Sequence, residues 1–271
     1  MGLPLAGVKH IIAIASGKGG VGKSTVAMNL AVALSVAGHK VGLLDADIYG
    51  PSQPQMLGVA DEKPVAEEGQ NITPVVKHGV KLMSMGFLIE KDTPMVWRGP
   101  MVISALRQML RQVDWAPLDI LVVDMPPGTG DIQLSMAQEV PLSGAVIVST
   151  PQDIALLDAR KGLNMFRKVN VPILGIIENM SHYICPQCGH EDHIFGRDGA
   201  RATAVEFGVP FLGGIPLESQ IRALTDAGQP LVIAAPDSLS TIALQGVANQ
   251  LWQQLEARAS QATGPVKIVI E

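Results

Sequence analysis

The chain predicts an α/β fold: a doubly wound, mainly parallel sheet with helices on both faces. Three observations lead there. Short apolar, β-branched runs alternate with helical patterns along the 271 residues. The first run, His10–Ala15, feeds a glycine-rich loop and then a helical pattern with Ala27, Leu30, Ala31 and Leu34 on one face. Hydrophobic residues make up 47% of the chain and mean hydropathy is +0.28, which suits a sheet covered on both sides. Aromatics are only 4%, so the core is expected to be aliphatic.

Each element follows in turn. After His10–Ala15, a helix is expected over Lys23–Ala37, stopped by Gly38 at the position where helices end left-handed. The apolar runs Lys40–Asp45 and Val80–Met85 read as strands, separated by the polar stretch Asp61–Gly79. Pro64, Gly69 and Pro74 mark that stretch as a surface excursion with a small hairpin, inside one domain spanning residues 1–271. Helix Pro100–Val113, strand Ile120–Met125, helix Gln133–Glu139, strand Ala145–Thr150 and helix Ala155–Lys168 continue the alternation. Strand Ile173–Glu178, helix Ala200–Phe207, strand Phe211–Ile215 and helix Ser219–Ala227 complete the sheet. A last helix, Ser238–Ala257, has a cap in Asp237–Ser238, and Ala259–Glu271 reads as a loose tail.

The loop Gly17–Lys18–Gly19–Gly20–Val21–Gly22–Lys23–Ser24–Thr25 satisfies G-x-x-x-x-G-K-[ST] between a strand and a helix. Glycines let backbone N–H groups curl around a phosphate chain, and the helix N-terminus adds partial positive charge. Lys23 is expected on the β/γ-phosphates and Ser24 on Mg²⁺. Lys18 is a second lysine that such a loop does not require; on an arbitrary loop it would be solvated.

Two further strands end in carboxylates. Asp45 and Asp47 follow Lys40–Leu44, at the carboxyl edge where open α/β sheets bind ligands. Either alone is a plausible turn cap; as a site, Asp47 orients an attacking water and Asp45 supports it electrostatically. Ile120–Val123 ends in Asp124, whose natural partner at a buried strand tip is Mg²⁺, usually through a water. The following Pro126–Pro127–Gly128–Thr129–Gly130 is a constrained loop whose Gly128 N–H suits a γ-phosphate sensor. Asn179, at the end of Ile173–Glu178, is either a turn former or a reader of a base edge.

Cys185 and Cys188 are the only cysteines. Three readings of Cys185–Pro186–Gln187–Cys188–Gly189–His190 compete: one zinc within a chain using His190 and His193, a dithiol switch, or two thiolates per chain shared between two chains. Two plus two makes the Cys₄ set of a [4Fe–4S] cluster.

The string GKGGVGKST resembles the deviant Walker A of the ArsA, MinD, ParA and nitrogenase-iron-protein class. That resemblance implies a homodimer sandwiching ATP, with Lys18 reaching the partner's nucleotide, Asp47 as the switch I catalytic aspartate and Asn179 on the adenine. Beyond it, ASGKGGVGKST, LLDADIYGPS, MSMGF, VWRGPM, LVVDMPPGTGD, STPQDIAL, ENMS and CPQCGH resemble, in order and over nearly the whole chain, the Mrp/ApbC-type iron–sulfur cluster carrier ATPases. The resemblance implies ATP hydrolysis, Mg²⁺ held by Ser24, Asp47 and Asp124, a bridging [4Fe–4S] cluster on Cys185 and Cys188, and apo-protein clients.

Composition limits the rivals. A formal net charge of −5 and a pI near 5.7 argue against a nucleic-acid binder. No apolar run is long enough for a membrane span, and the start lacks the pattern of a secretory leader, so a cytoplasmic protein without membrane insertion is expected. A MinD-like positioning ATPase would be expected to end in a basic amphipathic helix, which Gly264–Glu271 is not.

Overall fold

The computed structural model describes residues 5–66, 70–88 and 98–262. Among them lie strands β1 (Val8–Ala15), β2 (Val41–Asp45), β3 (Val75–Lys77), β4 (Val80–Ser84), β5 (Leu118–Asp124), β6 (Gly144–Ser149), β7 (Ile173–Ile184), β8 (Glu191–Asp192) and β9 (Phe211–Leu217). The helices are α1 (Lys23–Val36), α2 (Gln53–Met56), α3 (Gly99–Arg111), α4 (Asp131–Glu139), α5 (Asp153–Lys168), α6 (Gly199–Phe207), α7 (Ser219–Asp226), α8 (Leu231–Ala234) and α9 (Leu239–Ala262).

The strands form one sheet in the order β3-β4-β2-β5-β1-β6-β7, with β9 and β8 both on β7. From β4 to β9 the pairings are parallel; β3 on β4 and β8 on β7 are antiparallel. Parallel strands are buried on both faces, and their side chains alternate between two cores. Ile12, Ile14, Leu43, Val122 and Val146 face α1, α8 and α9. Ile11, Ala13, Leu44, Val123 and Ile147 face α3, α4, α5 and α6. Helix α1 is buried at every position from Val26 to Leu34 because the sheet covers one side and α9 the other.

Local signals act as expected at both ends of this layer. Gly38, at φ 94°, ends α1, with His39 N–H donating to Leu34 O at 3.1 Å. The Ser238 hydroxyl caps α9 by accepting Thr241 N–H at 3.1 Å.

Two expectations need correction, the end of β7 and the tail. Strand β7 does not stop at Glu178 but runs on to Ile184, because β9 and β8 supply partners that a local reading cannot see. The excursion holds a hairpin, β3 and β4, closed by His78 at φ 50° and Gly79 at φ 75°; its residues 67–69 lie outside the described set. The expected loose tail is helical through Ala262, and 263–271 lie outside the described residues, as do Trp97 and residues 1–4.

Candidate nucleotide and thiol sites

The strand tips converge where β1, β2 and β5 end side by side. Asp45 on β2 stands opposite Asp124 on β5, and Ile14 of β1 opposite Asp124. The loop from β1 wraps over these tips into α1. Gly20 and Gly22 take φ 81° and 78°, the left-handed region, so the chain turns back with its amides inward. Gly22 caps α1, leaving the first-turn N–H groups of Lys23, Ser24 and Thr25 without helical partners, which suits an anion. Gly17 packs so closely on α5 that a Cβ would lie 2.1 Å from the Asp158 backbone. Gly19 stands exposed, Val21 is buried, and Lys18 is half-buried with no ion pair among the described residues.

The charges beneath the loop are unbalanced. The Lys23 ammonium, itself buried, pairs with Asp124 Oδ1, lies 3.6 Å from Asp47 Oδ2 and donates to Ser24 Oγ at 3.1 Å. Lys23 thus pairs with two buried carboxylates, Asp47 and Asp124, while Asp45, also buried, has no ion pair among the described residues. Burial and the neighbouring Asp124 charge push Asp45 up to about 7, although Gln53 N–H, the Ser84 hydroxyl and Asp47 N–H all donate to it. Burial also raises Asp47, against the pull of Lys23. The excess negative charge and the hard oxygen donors, Ser24 Oγ with Asp47 and Asp124, fit a divalent cation such as Mg²⁺. No three His, Cys, Asp or Glu side chains among the described residues converge on one point, so an ion here would need oxygen ligands beyond these side chains, phosphate and water among them.

Sequence reasoning missed Gln53. It opens α2, fully buried, and its Nε2 donates to Asp124 Oδ2 at 2.8 Å and Ser24 O at 3.0 Å. A glutamine in the polar run Pro51–Gln55 carries no local sign of burial. The adjacent prolines, Pro51 and Pro54, which restrict the chain after the acidic strand tip, were the available signal.

Gly128, at φ 104°, donates its N–H to Ser16 O at 2.9 Å. The expected phosphate-sensing amide is therefore committed to the glycine loop here, and sensing requires that bond to open. Asn179 crosses to the same loop: its Nδ2 donates to Val21 O at 2.8 Å. It also lines a mostly apolar cavity of about 240 Å³ with Thr25, Met180, Pro216, Leu217 and Thr225. The Thr225 hydroxyl is buried and lacks a hydrogen-bond partner among the described residues. That volume suits a planar base more than a whole nucleotide.

Strand β7 carries Asn179 and then leads to the cysteines. The turn from Cys185 to His190 is closed by Cys185 N–H on His190 O at 2.9 Å and Gly189 N–H on Cys185 O at 2.8 Å. Both cysteines are free thiols, Cys188 exposed. The N–H groups of Gln187 and Cys188, with the Cys188 thiol, hold Cys185 below the usual thiol range. His193 turns to other partners, its Nδ1 3.2 Å from Ser181 O and its Nε2 3.3 Å from Glu191 Oε1. The structure therefore does not bring it to the cysteines as a fourth ligand.

A glycine loop between strand and helix, over acid-tipped parallel strands, defines a P-loop NTPase. The chain belongs to the ParA family of NUBPL iron-transfer P-loop NTPases, whose model matches residues 7–252. It is 56% identical over 255 residues to the Arabidopsis thaliana iron-sulfur protein required for NADH dehydrogenase, mitochondrial, covering 94% of this chain and 81% of that protein. It is 56% identical over 245 residues to the iron-sulfur cluster carrier protein of Pseudomonas fragi, covering 90% and 85%. Among solved structures, a nucleotide-binding protein from Archaeoglobus fulgidus in complex with ADP superposes with a TM-score of 0.74 at 38% identity, covering 83% of this chain and 88% of that one.

Proposed function

We propose that this chain is an ATP-hydrolysing iron–sulfur cluster carrier that works as a homodimer in the cytoplasm. Cys185 and Cys188 of each copy supply four thiolates to one bridging [4Fe–4S] cargo, which passes to apo-proteins. The observation that carries the reading is the pair of free, accessible thiols on the turn that β7 extends beyond Asn179. One strand thus joins the base cavity to the thiol turn.

When bound, magnesium ATP supplies the transferable phosphoryl group and the charge that neutralises it. Ser24, Asp47 and Asp124 would hold the ion. Lys23 exchanges its carboxylate partners for phosphate oxygens, as the loop amides from Gly19 to Thr25 close around the chain of phosphates. Asp47 holds the attacking water, and Gly128 releases Ser16 as it meets the γ-phosphate. Asn179 and the apolar cavity hold the base. Lys18 reaches the nucleotide of the second copy, so closure joins the two thiol turns and hydrolysis relaxes them.

The test is iron, zinc and acid-labile sulfide content after anaerobic reconstitution, with dimer state recorded, for the wild type and Cys185→Ala. The expected result is about four iron and four sulfide per two chains, lost in the variant. About one zinc per chain and no iron would refute cluster carriage and leave the NTPase.

A further inference from the structure

We infer that Gln53 completes the magnesium pocket: its Nε2 locks Asp124 in place while its Oε1 joins the oxygen set offered to the ion. The inference rests on the magnesium–nucleotide reading above and is independent of the thiol turn. Gln53 is fully buried and its amide orientation is fixed. Both atoms facing Nε2, Asp124 Oδ2 at 2.8 Å and Ser24 O at 3.0 Å, are acceptors, so the nitrogen must point at them. The other end, Oε1, is buried without a hydrogen-bond partner among the described residues. Buried carboxamide oxygens are nearly always satisfied, and an orphan beside a cation-poor cluster of carboxylates points to a ligand.

The backbone supports this assignment. Gln53 N–H donates to Asp45 Oδ2 at 3.1 Å, and Ser84 Oγ donates to the same oxygen at 2.9 Å. Asp45 Oδ1 in turn accepts Asp47 N–H at 3.2 Å. Asp45 therefore positions both Asp47 and Gln53, and Gln53 ties that segment to Asp124 and to the first turn of α1. With Asp124 Oδ2 engaged by Gln53, Oδ1 is the oxygen left to face a cation, and Lys23 now sits on it. Gln53 is a positioning residue for Asp124 and a supplementary acceptor for the ion.

The test is fluorescent ATP-analogue binding to the whole chain in EDTA and across a Mg²⁺ titration, for wild type, Gln53→Met and Gln53→Asn. Met fills the same space without either polar atom; Asn keeps the amide but falls one methylene short. Each variant is compared with its own binding in EDTA, and both are expected to need about tenfold more Mg²⁺ than wild type for the same tightening, the order lost with one hydrogen bond to a charged group. A merely structural role would weaken binding equally in both conditions, and unchanged Mg²⁺ dependence in a folded variant would overturn the inference. If Gln53→Met is insoluble, Gln53→Asn carries the comparison. Wild-type protein whose nucleotide binding ignores Mg²⁺ would refute the underlying magnesium reading instead.

Discussion

Replacing Gly22 by alanine tests how the glycine loop and β7 are joined. Gly22 sits at φ 78°, ψ 21°, and an alanine there costs about 1–2 kcal/mol for the left-handed backbone. Its methyl would lie 2.2 Å from Asn179 Nδ2, which is held by its 2.8 Å bond to Val21 O. The carboxamide must move, and the lost hydrogen bond adds about 1 kcal/mol. Gly22→Ala is therefore expected to destabilise the nucleotide-free chain by about 2–3 kcal/mol. Asn179→Ala alone removes the same hydrogen bond, about 1 kcal/mol. The double variant loses that bond only once, so its cost should fall short of the sum of the singles by about 1 kcal/mol. The lower unfolded-state entropy of alanine enters the single and double variants alike and cancels in the cycle. Urea unfolding of the four proteins with a shared slope measures the coupling. Costs additive within about 0.3–0.5 kcal/mol would refute the reasoning, because Asn179 would then not be what the methyl meets.

Three other perturbations follow from the site. Lys18→Ala is expected to keep nucleotide binding by the single chain and to lose ATP-driven dimerisation, read by light scattering with and without ATP; dimerisation at wild-type levels contradicts a role in trans. Asp45, raised from 3.8 to about 7, binds its proton more tightly folded than unfolded. Its stabilising contribution is complete below about pH 4 and is lost as pH rises to about 7, so wild type should lose stability between about pH 4 and 7 relative to Asp45→Asn. Parallel urea midpoints for the nucleotide-free pair across that range would count against the assignment. Cys185 is held low partly by the Cys188 thiol, so Cys188→Ala should move the pH midpoint of Cys185 alkylation upward, as followed by peptide mass spectrometry; an unmoved midpoint removes that contact from the account.

The parts legible in the sequence are those governed by local chemistry. Buried parallel strands have continuous apolar runs, so Ile120–Val123 and Asp124 at its tip could be read without tertiary knowledge. The glycine loop was legible because its residue types are each demanded by backbone geometry. The extension of β7 was not, since Ser181, His182 and Tyr183 become strand only through β9 and β8, which come later in the chain. Gln53 was hidden for a similar reason: its burial depends on Asp124, which lies 71 residues away. The Asp45 carboxylate was seen as a supporting charge, but its three hydrogen-bond donors come from Asp47, Gln53 and Ser84, a set assembled only by folding.

The far end of β7 differs from the sheet it grows out of. The hairpin there is held by two residue pairs, Tyr183 with Asp192 and Ile184 with Glu191, by the Cys185–His190 backbone bond and by Tyr183 beside Leu217 of β9, and no residue from His182 to Ile194 is fully buried. Few apolar contacts and exposed backbone bonds place it at the low end of local opening free energies, whereas β1 and β5 open only when the whole fold does. Amide hydrogens of the turn should exchange orders of magnitude faster than those of the central strands. On the proposed reading, a cargo on the thiols is released by opening this turn while the nucleotide site stays folded, which makes unloading and unfolding separate events.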